Sequence, residues 1–182
     1  MLITKPEKQK LIEMSQISLW LDSYDDIFTD FDSRNYDNRA LSQDFLAEAK
    51  RSSRDKEFGA IELRLLVPNA KRNSAHEKLI LKRLREHFNK HYLRIKKEVQ
   101  TIIRQGLVFV ILGVICMFYA AFVLFADSKT LLASFMIILL EPASWFFFWE
   151  GLDMLLFQPK SVHPDLDFYH KMSKCEISFL SY

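Results

Sequence analysis

Two long apolar runs joined by three polar residues constrain this chain more than any other feature. Residues 106–126 carry no charge, and residues 130–157 carry acids only at Glu141, Glu150 and Asp153. A helix rises about 1.5 Å per residue, so the first run spans roughly 32 Å, close to the thickness of a bilayer's hydrocarbon core. Backbone in lipid must satisfy its own hydrogen bonds. The two runs therefore predict a transmembrane helical hairpin that turns at residues 127–129.

The charges outside the hairpin are unevenly distributed, although the net charge is only +2. Residues 21–50 are rich in aspartate, whereas residues 77–104 are rich in lysine and arginine and lead into the first span. The basic side of a membrane protein stays cytoplasmic. We therefore expect both termini in the cytoplasm, at the plasma or inner membrane, and Lys129 in the outer turn. The expected partner is the lipid bilayer; nucleic acid is disfavoured because the cations continue directly into a span.

The segment before the basic helix predicts a small α/β fold. Residues 5–16 are a polar lead-in, and residues 17–22 alternate between apolar and polar, as a strand does. Ser42 is a good N-cap for a helix, and residues 61–67 alternate again, after Gly59 and before Pro68. This pattern predicts a βαβ unit with parallel strands.

One long helix is predicted to join this fold to the membrane. Ser74 and Glu77 form a capping-box pattern, and no proline interrupts residues 75–126. After the hairpin, residues 158–163 read as an exit loop, Pro164 as the start of a short helix, and residues 175–182 as a last strand.

The expected fold class is therefore an α+β membrane protein, a two-span hairpin whose first helix extends into a small cytoplasmic domain. The first predicted division is a cytoplasmic α/β domain at 1–104, whose basic helix covers 75–104. The second is a hairpin at 105–157 with spans at 105–126 and 130–157. The third is a C-terminal segment at 158–182 that joins the first domain.

A coiled-coil-like seam runs along the long helix across the predicted membrane boundary. Its residues follow a spacing of three and four: Tyr92, Ile95, Val99, Ile102, Gly106, Phe109, Gly113, Cys116 and Ala120. Inside the membrane, one of its two rows is small and consists of Gly106, Gly113 and Ala120. Small residues let helices approach closely in lipid. We favour self-association between chains through this seam; the alternative is that it packs on the chain's own second span and soluble domain.

Glu141 is the strongest polar candidate in the membrane, and Pro142 follows it. An ionisable group at this depth is costly and suggests function. It could form an ion or proton site with Tyr119 nearby. The favoured alternative is a structural hydrogen bond to Tyr119, Ser134 or a neighbouring chain.

Two further patterns are weak candidates for metal binding. Asp30 and Asp32 form a DxD pattern in the acidic loop, where turn capping is the favoured interpretation. His87 and His91 lie four residues apart on the long helix, where a solvated face is favoured. Cys116 and Cys175 form no CxxC pair, and no glycine-rich phosphate loop or serine-hydrolase motif is present.

The sequence favours a non-enzymatic, homo-oligomeric membrane scaffold that presents its cytoplasmic domains to a protein partner, with no catalytic residue and no cofactor. The first alternative is an oligomeric pore or an ion- or proton-conducting channel that uses Glu141. The second alternative is a membrane-anchored, divalent-cation-dependent enzyme or sensor that uses the loop from Asp22 to Asp32.

Overall fold

A computed structural model of the chain describes residues 16–54, 61–126 and 130–182. The predicted lead-in before residue 16, Gly59, and the turn at 127–129 with Lys129 lie outside the described residues. The fold is mostly helical, with two long apolar helices that form a hairpin and a small three-stranded parallel sheet. The elements are β1 (Gln16–Trp20), α1 (Gln43–Ser53), β2 (Glu62–Val67), α2 (Ser74–Phe125), α3 (Leu131–Leu156), α4 (Gln158–Lys174) and β3 (Glu176–Ser181), with short 3-10 helices at Tyr24–Ile27 and Asn69–Lys71.

The chain divides into two compact units, to which α2 and α4 both contribute. The sheet unit comprises Met1–Leu93 and Asp167–Tyr182, and the hairpin unit comprises Arg94–Leu166. The helix Ser74–Phe125 and the helical stretch Leu131–Lys174 are each long and apolar enough to cross a membrane.

The sheet confirms the predicted βαβ unit and the return of the C-terminal strand. β1 pairs with β2 and β2 pairs with β3, all parallel, so the strand order is β1-β2-β3. β1 ends at Trp20, earlier than predicted, because the Ser23 side chain and the Asp26 carboxylate cap the 3-10 helix that follows.

The core of the sheet unit lies on one face of the sheet. Alternate residues of every strand are buried there, and α1, α2 and α4 contribute the opposing side chains. The buried residues at the centre of this core are Ile17, Leu63, Leu65, Val67, Ile80, Leu84, Phe88 and Met172.

The cap of α1 is as predicted, but the cap of α2 is not. The Ser42 hydroxyl accepts a hydrogen bond from the Phe45 amide. At α2, Asn73 rather than Ser74 is the cap: its Oδ1 accepts from the amides of Ala75 at 2.9 Å and His76 at 3.3 Å.

Glu77, the other half of the predicted capping box, makes different contacts. Its carboxylate accepts two hydrogen bonds from Arg72, at 2.8 and 2.9 Å, and one from the Tyr24 hydroxyl, at 2.9 Å. The hydrogen bonds from Arg72 hold the pKa of Glu77 below its usual value, against the opposing effect of desolvation. Glu77 therefore connects the start of α2 to the acidic loop.

The predicted exit loop at 158–163 was wrong, because α4 begins at Gln158 and contains Pro164. Pro159 lies in the first turn of α4, where its missing N–H breaks no helical hydrogen bond. The fixed φ of proline is compatible with helix, so Pro164 removes a hydrogen bond without ending α4.

Candidate functional site

The two helices of the hairpin unit, α2 and α3, approach each other closely at three glycines. A Cβ atom at Gly106 would lie 2.8 Å from Cβ of Met154, and one at Gly113 would lie 2.8 Å from the Phe148 amide nitrogen. At Gly151 it would lie 2.6 Å from the Val110 amide nitrogen. Because these neighbours include backbone atoms, only glycine permits this packing.

The small-residue row of the predicted seam therefore packs within the chain. Gly106 and Gly113 contact α3, and Ala120 is buried as well. Farther from the predicted membrane, Ile95 is buried while Val99 and Ile102 are half-buried. The first seam residue, Tyr92, belongs to the sheet unit, where its ring stacks on His170 with centroids 5.0 Å apart. Self-association through the seam stays a prediction.

Gly151 completes this interface, and sequence reasoning missed it. The signal was present in the second run: Ser144 and Gly151 are seven residues apart, like Gly106 and Gly113. Ser144 is buried, and its backbone oxygen would lie 3.0 Å from a Cβ at Gly113. The two runs thus carry matching rows of small residues.

The predicted polar site in the second run has an outward-facing acid. Glu141 and Pro142 are both exposed, and Ser144 Oγ donates a 2.8 Å hydrogen bond to the backbone oxygen of Glu141. Tyr119 is 54% exposed. Among the described residues, no hydrogen bond or ion pair joins the Glu141 carboxylate to Tyr119 or to any other side chain. Its exposed neighbours on α3 include Ile138 and Trp145.

The acidic loop uses its carboxylates in turns and ion pairs. The Asp32 carboxylate accepts two hydrogen bonds from the Arg34 guanidinium, at 2.9 and 2.8 Å, and one from the Ala40 amide at 2.7 Å. These hydrogen bonds hold the pKa of Asp32 far below its usual range, and the bond from the Arg34 side chain has the largest effect. Asp25 pairs with Arg39. In the described part of the chain, no three His, Cys, Asp or Glu residues form a group suited to a metal ion.

We expect Asp32→Asn to lower the melting temperature of the protein more than Asp30→Asn does. Asp32 connects three points of the loop, whereas Asp30 is exposed. Thermal melts in detergent, with and without Mg²⁺ or Ca²⁺, measure both effects. A melting temperature that rises with either cation and loses that rise in both variants would instead support a cation site.

A cavity of about 290 Å³ adjoins this loop in the sheet unit, lined by Arg34, Asn35, Tyr36, Asp37, Arg39, His76 and Leu79. Its two guanidinium groups already pair with Asp32 and Asp25. The cavity therefore offers little uncompensated positive charge to an anion.

The histidine pair of α2 is half-buried and packs against α4, so the favoured interpretation, a solvated face, was wrong. The rings of His87 and His91 stack with centroids 4.2 Å apart, and His91 stacks on Tyr169 of α4 at 5.1 Å. The His87 Nε2 atom is buried and has no hydrogen-bond partner in the described part of the chain. Desolvation, followed by the charge of His91, lowers the pKa of His87 to about 4.

We expect acidification to destabilise the sheet unit through His87, and His87→Phe to reduce that sensitivity. An unfolded histidine takes up its proton near pH 6.5, but folded His87 does so only near pH 4. Stability contributed by the neutral ring is therefore present above pH 6.5 and is lost as the pH falls through this window. Melting temperatures at pH 7.5 and pH 5 measure the effect. His163→Phe, at an exposed position of the hairpin unit, should keep the wild-type difference, and an unchanged difference in His87→Phe would contradict the prediction.

Comparisons of the chain with protein-family models, with curated proteins and with solved structures gave no match. The functional argument therefore depends on the geometry of the two units.

Proposed function

We propose that this chain is a non-enzymatic, two-pass membrane protein whose copies assemble and present their sheet units to a protein partner in the cytoplasm. The proposal depends first on lipid being the environment of the hairpin unit. Large apolar side chains point outward around α2 and α3, among them Leu107, Val108, Ile111, Ile115, Phe118, Phe122, Leu132, Phe135, Ile138, Phe146 and Trp149.

The share of buried residues distinguishes these helices from the core helices of a soluble protein. Only 11% of the most apolar stretch of the first helix and 6% of that of the second are buried. Soluble monomers rarely expose apolar patches larger than a few hundred Å². Lipid accommodates such a surface, and the glycine contacts at Gly106, Gly113 and Gly151 explain how two apolar helices associate there without a hydrophobic driving force. The cations of residues 77–104 favour a cytoplasmic sheet unit.

The single observation that supports assembly is the outward-facing carboxylate of Glu141. An acid that faces hydrocarbon chains is costly, and such residues usually pair with another polar group. Ser134, Ile138, Glu141 and Trp145 recur at a spacing of three and four, and all four are exposed. Because Gly106 and Gly113 are already occupied by α3 of the same chain, we assign the contact between copies to this outer face of α3.

The same observation carries the alternative proposal, a pore in which Glu141 lines a central axis. The alternative of a cation-dependent enzyme has weaker support, since Arg34 and the Ala40 amide already occupy the oxygens of Asp32.

The test is the particle mass of the full chain reconstituted in lipid nanodiscs. We expect a defined oligomer, and we expect Glu141→Leu to shift the mass toward the monomer. Glu150→Gln, a change at the half-buried acid of the same helix, is the matched control and should leave the mass unchanged. A monomer at every lipid ratio would overturn the proposal.

Liposome flux separates the two proposals. A scaffold predicts no ion flux at confirmed reconstitution. A flux that Glu141→Gln alters would replace the scaffold with the pore.

A further inference from the structure

A cavity in the hairpin unit lies where the cations of α2 end and its apolar run begins. Arg104 is the last cation before that run, which starts at Gly106. The cavity has a volume of about 320 Å³ and is lined by Thr101, Arg104, Gln105, Val108 and Phe109. It is called the boundary cavity here. Its lining is polar at residues 101–105 and apolar at residues 108–109.

The polar end of the boundary cavity carries hydrogen-bond donors that the protein does not use. Within the described ranges, neither the Arg104 guanidinium nor the Gln105 side-chain amide has a hydrogen bond or an ion pair, and both residues are exposed. The Thr101 hydroxyl differs, because it donates a 2.9 Å hydrogen bond to the backbone oxygen of Lys97. Arg104 and Gln105 can therefore donate to an external acceptor.

The charge at this end is positive and is not neutralised by nearby acids. Lys97 precedes Arg104 by seven residues, so both lie on the same side of α2. No ion pair of the described residues joins Arg104 to Glu150 or Asp153 of α3. The Asp153 carboxylate instead accepts a 3.1 Å hydrogen bond from the Gln158 side-chain amide. The boundary cavity therefore favours an anion.

The apolar end indicates which kind of anion fits. Val108 is 58% exposed, and the half-buried ring of Phe109 lies 5.7 Å from that of Phe147 of α3, between centroids. A free phosphate would leave this apolar surface in contact with water, whereas an acyl chain would cover it. Arginine matches the geometry of a phosphate group with two parallel hydrogen bonds. Polar and then apolar lining along α2 therefore matches a phospholipid.

We infer that the boundary cavity binds one anionic phospholipid, an inference that rests on the proposed placement of the hairpin in lipid. The lipid phosphate accepts hydrogen bonds from Arg104 and Gln105, and an acyl chain packs along Val108 and Phe109. A choline headgroup would bring a second positive charge toward Lys97, so the site prefers a headgroup of net negative charge. The proposed orientation places Arg104 at the cytoplasmic leaflet, which holds the anionic lipids.

The test is native mass spectrometry of the full chain in a neutral detergent, with added phosphatidylglycerol or phosphatidylcholine of the same acyl chains. We expect phosphatidylglycerol to remain bound at lower lipid concentrations than phosphatidylcholine. Arg104→Gln should weaken its binding by about tenfold or more, the usual effect of hydrogen bonds to a charged group. Val108→Trp should also weaken it, since this change fills the apolar end of the cavity and leaves the charge unaltered.

Arg94→Gln is the matched control for charge. It removes one exposed cation from the same helix, about 15 Å along the axis from Arg104 and beyond the screening length of about 8 Å in physiological salt. Phosphatidylglycerol binding should therefore be unchanged. Equal loss in Arg94→Gln and Arg104→Gln would reduce the effect to general surface charge and overturn the inference. Displacement of the lipid by a large excess of inorganic phosphate would identify a free-anion site and would also overturn it.

The outcomes separate this inference from the proposed assembly. A monomer in nanodiscs that still retains phosphatidylglycerol through Arg104 overturns the assembly and supports the lipid site. An oligomer with no preference between the two lipids overturns the lipid site and leaves the assembly intact. A chain that stays soluble and monodisperse without detergent overturns both.

Discussion

Gly151→Leu is expected to separate the two helices of the hairpin and to lower the melting temperature of the detergent-solubilised protein by roughly 4–12 °C. The new side chain would begin 2.6 Å from the Val110 amide nitrogen and 2.7 Å from the Gly106 carbonyl oxygen. Backbone atoms of a continuous helix cannot move aside individually, so the whole of α3 would have to shift. Overpacking of this kind costs about 1–3 kcal/mol, and we expect the upper end.

A direct reporter of the same contact is available at Phe109 and Phe147, whose ring centroids lie 5.7 Å apart. Cysteines at these two positions, in a Cys116→Ser background, should cross-link in the parent protein and not with Gly151→Leu. Ala121→Leu makes a similar change at an exposed position of α2 and should keep the cross-link. Retention of the cross-link in Gly151→Leu would show that the glycine contact does not determine the hairpin.

Phe88→Ala is expected to destabilise the sheet unit by about 3–5 kcal/mol. Phe88 has no exposed surface and packs edge-on against Phe168 of α4, with ring centroids 6.2 Å apart. Removing its ring would leave a cavity in the core beneath the sheet. Hydrogen exchange of the β2 amides measures the loss, because that strand is the centre of the sheet and exchanges only when the unit opens.

Phe31→Ala is the matched control, since the Phe31 side chain is fully exposed in the acidic loop. The same atoms are deleted, but no cavity forms, and the exchange of β2 should be unchanged. If both variants accelerate exchange equally, burial of Phe88 in this core is wrong.

The elements that the sequence predicted well are those specified by local periodicity. Apolar residues at every second position of residues 17–22 and 61–67 predict one buried face for each strand, and both strands are present in parallel. A long uninterrupted apolar stretch that follows a basic helical stretch requires a single helix, and Ser74–Phe125 is one. In each case, residues close in the chain carry the whole signal.

Two of the errors, at the histidine pair and at the exit loop, share a physical cause: they concern contacts between distant parts of the chain. The spacing of His87 and His91 correctly places them on one face, but it carries no information that Tyr169, about 80 residues later, covers that face. Pro164 is a helix-start signal by itself, yet packing of Phe168 and Met172 in the core accompanies a helix that begins at Gln158. The local preference of proline for the start of a helix is weak enough for tertiary packing to override it.

The apolar runs by themselves determined that the chain has two long helices, because their length and lack of charge permit little else in lipid. They also placed Gly106, Gly113 and Ala120 on one face. Only the tertiary structure decided what covers that face: α3 of the same chain, through Gly151, which leaves Glu141 pointing outward. The reason is geometric, since periodicity specifies which residues share a face, whereas the partner of that face depends on how closely two backbones can approach.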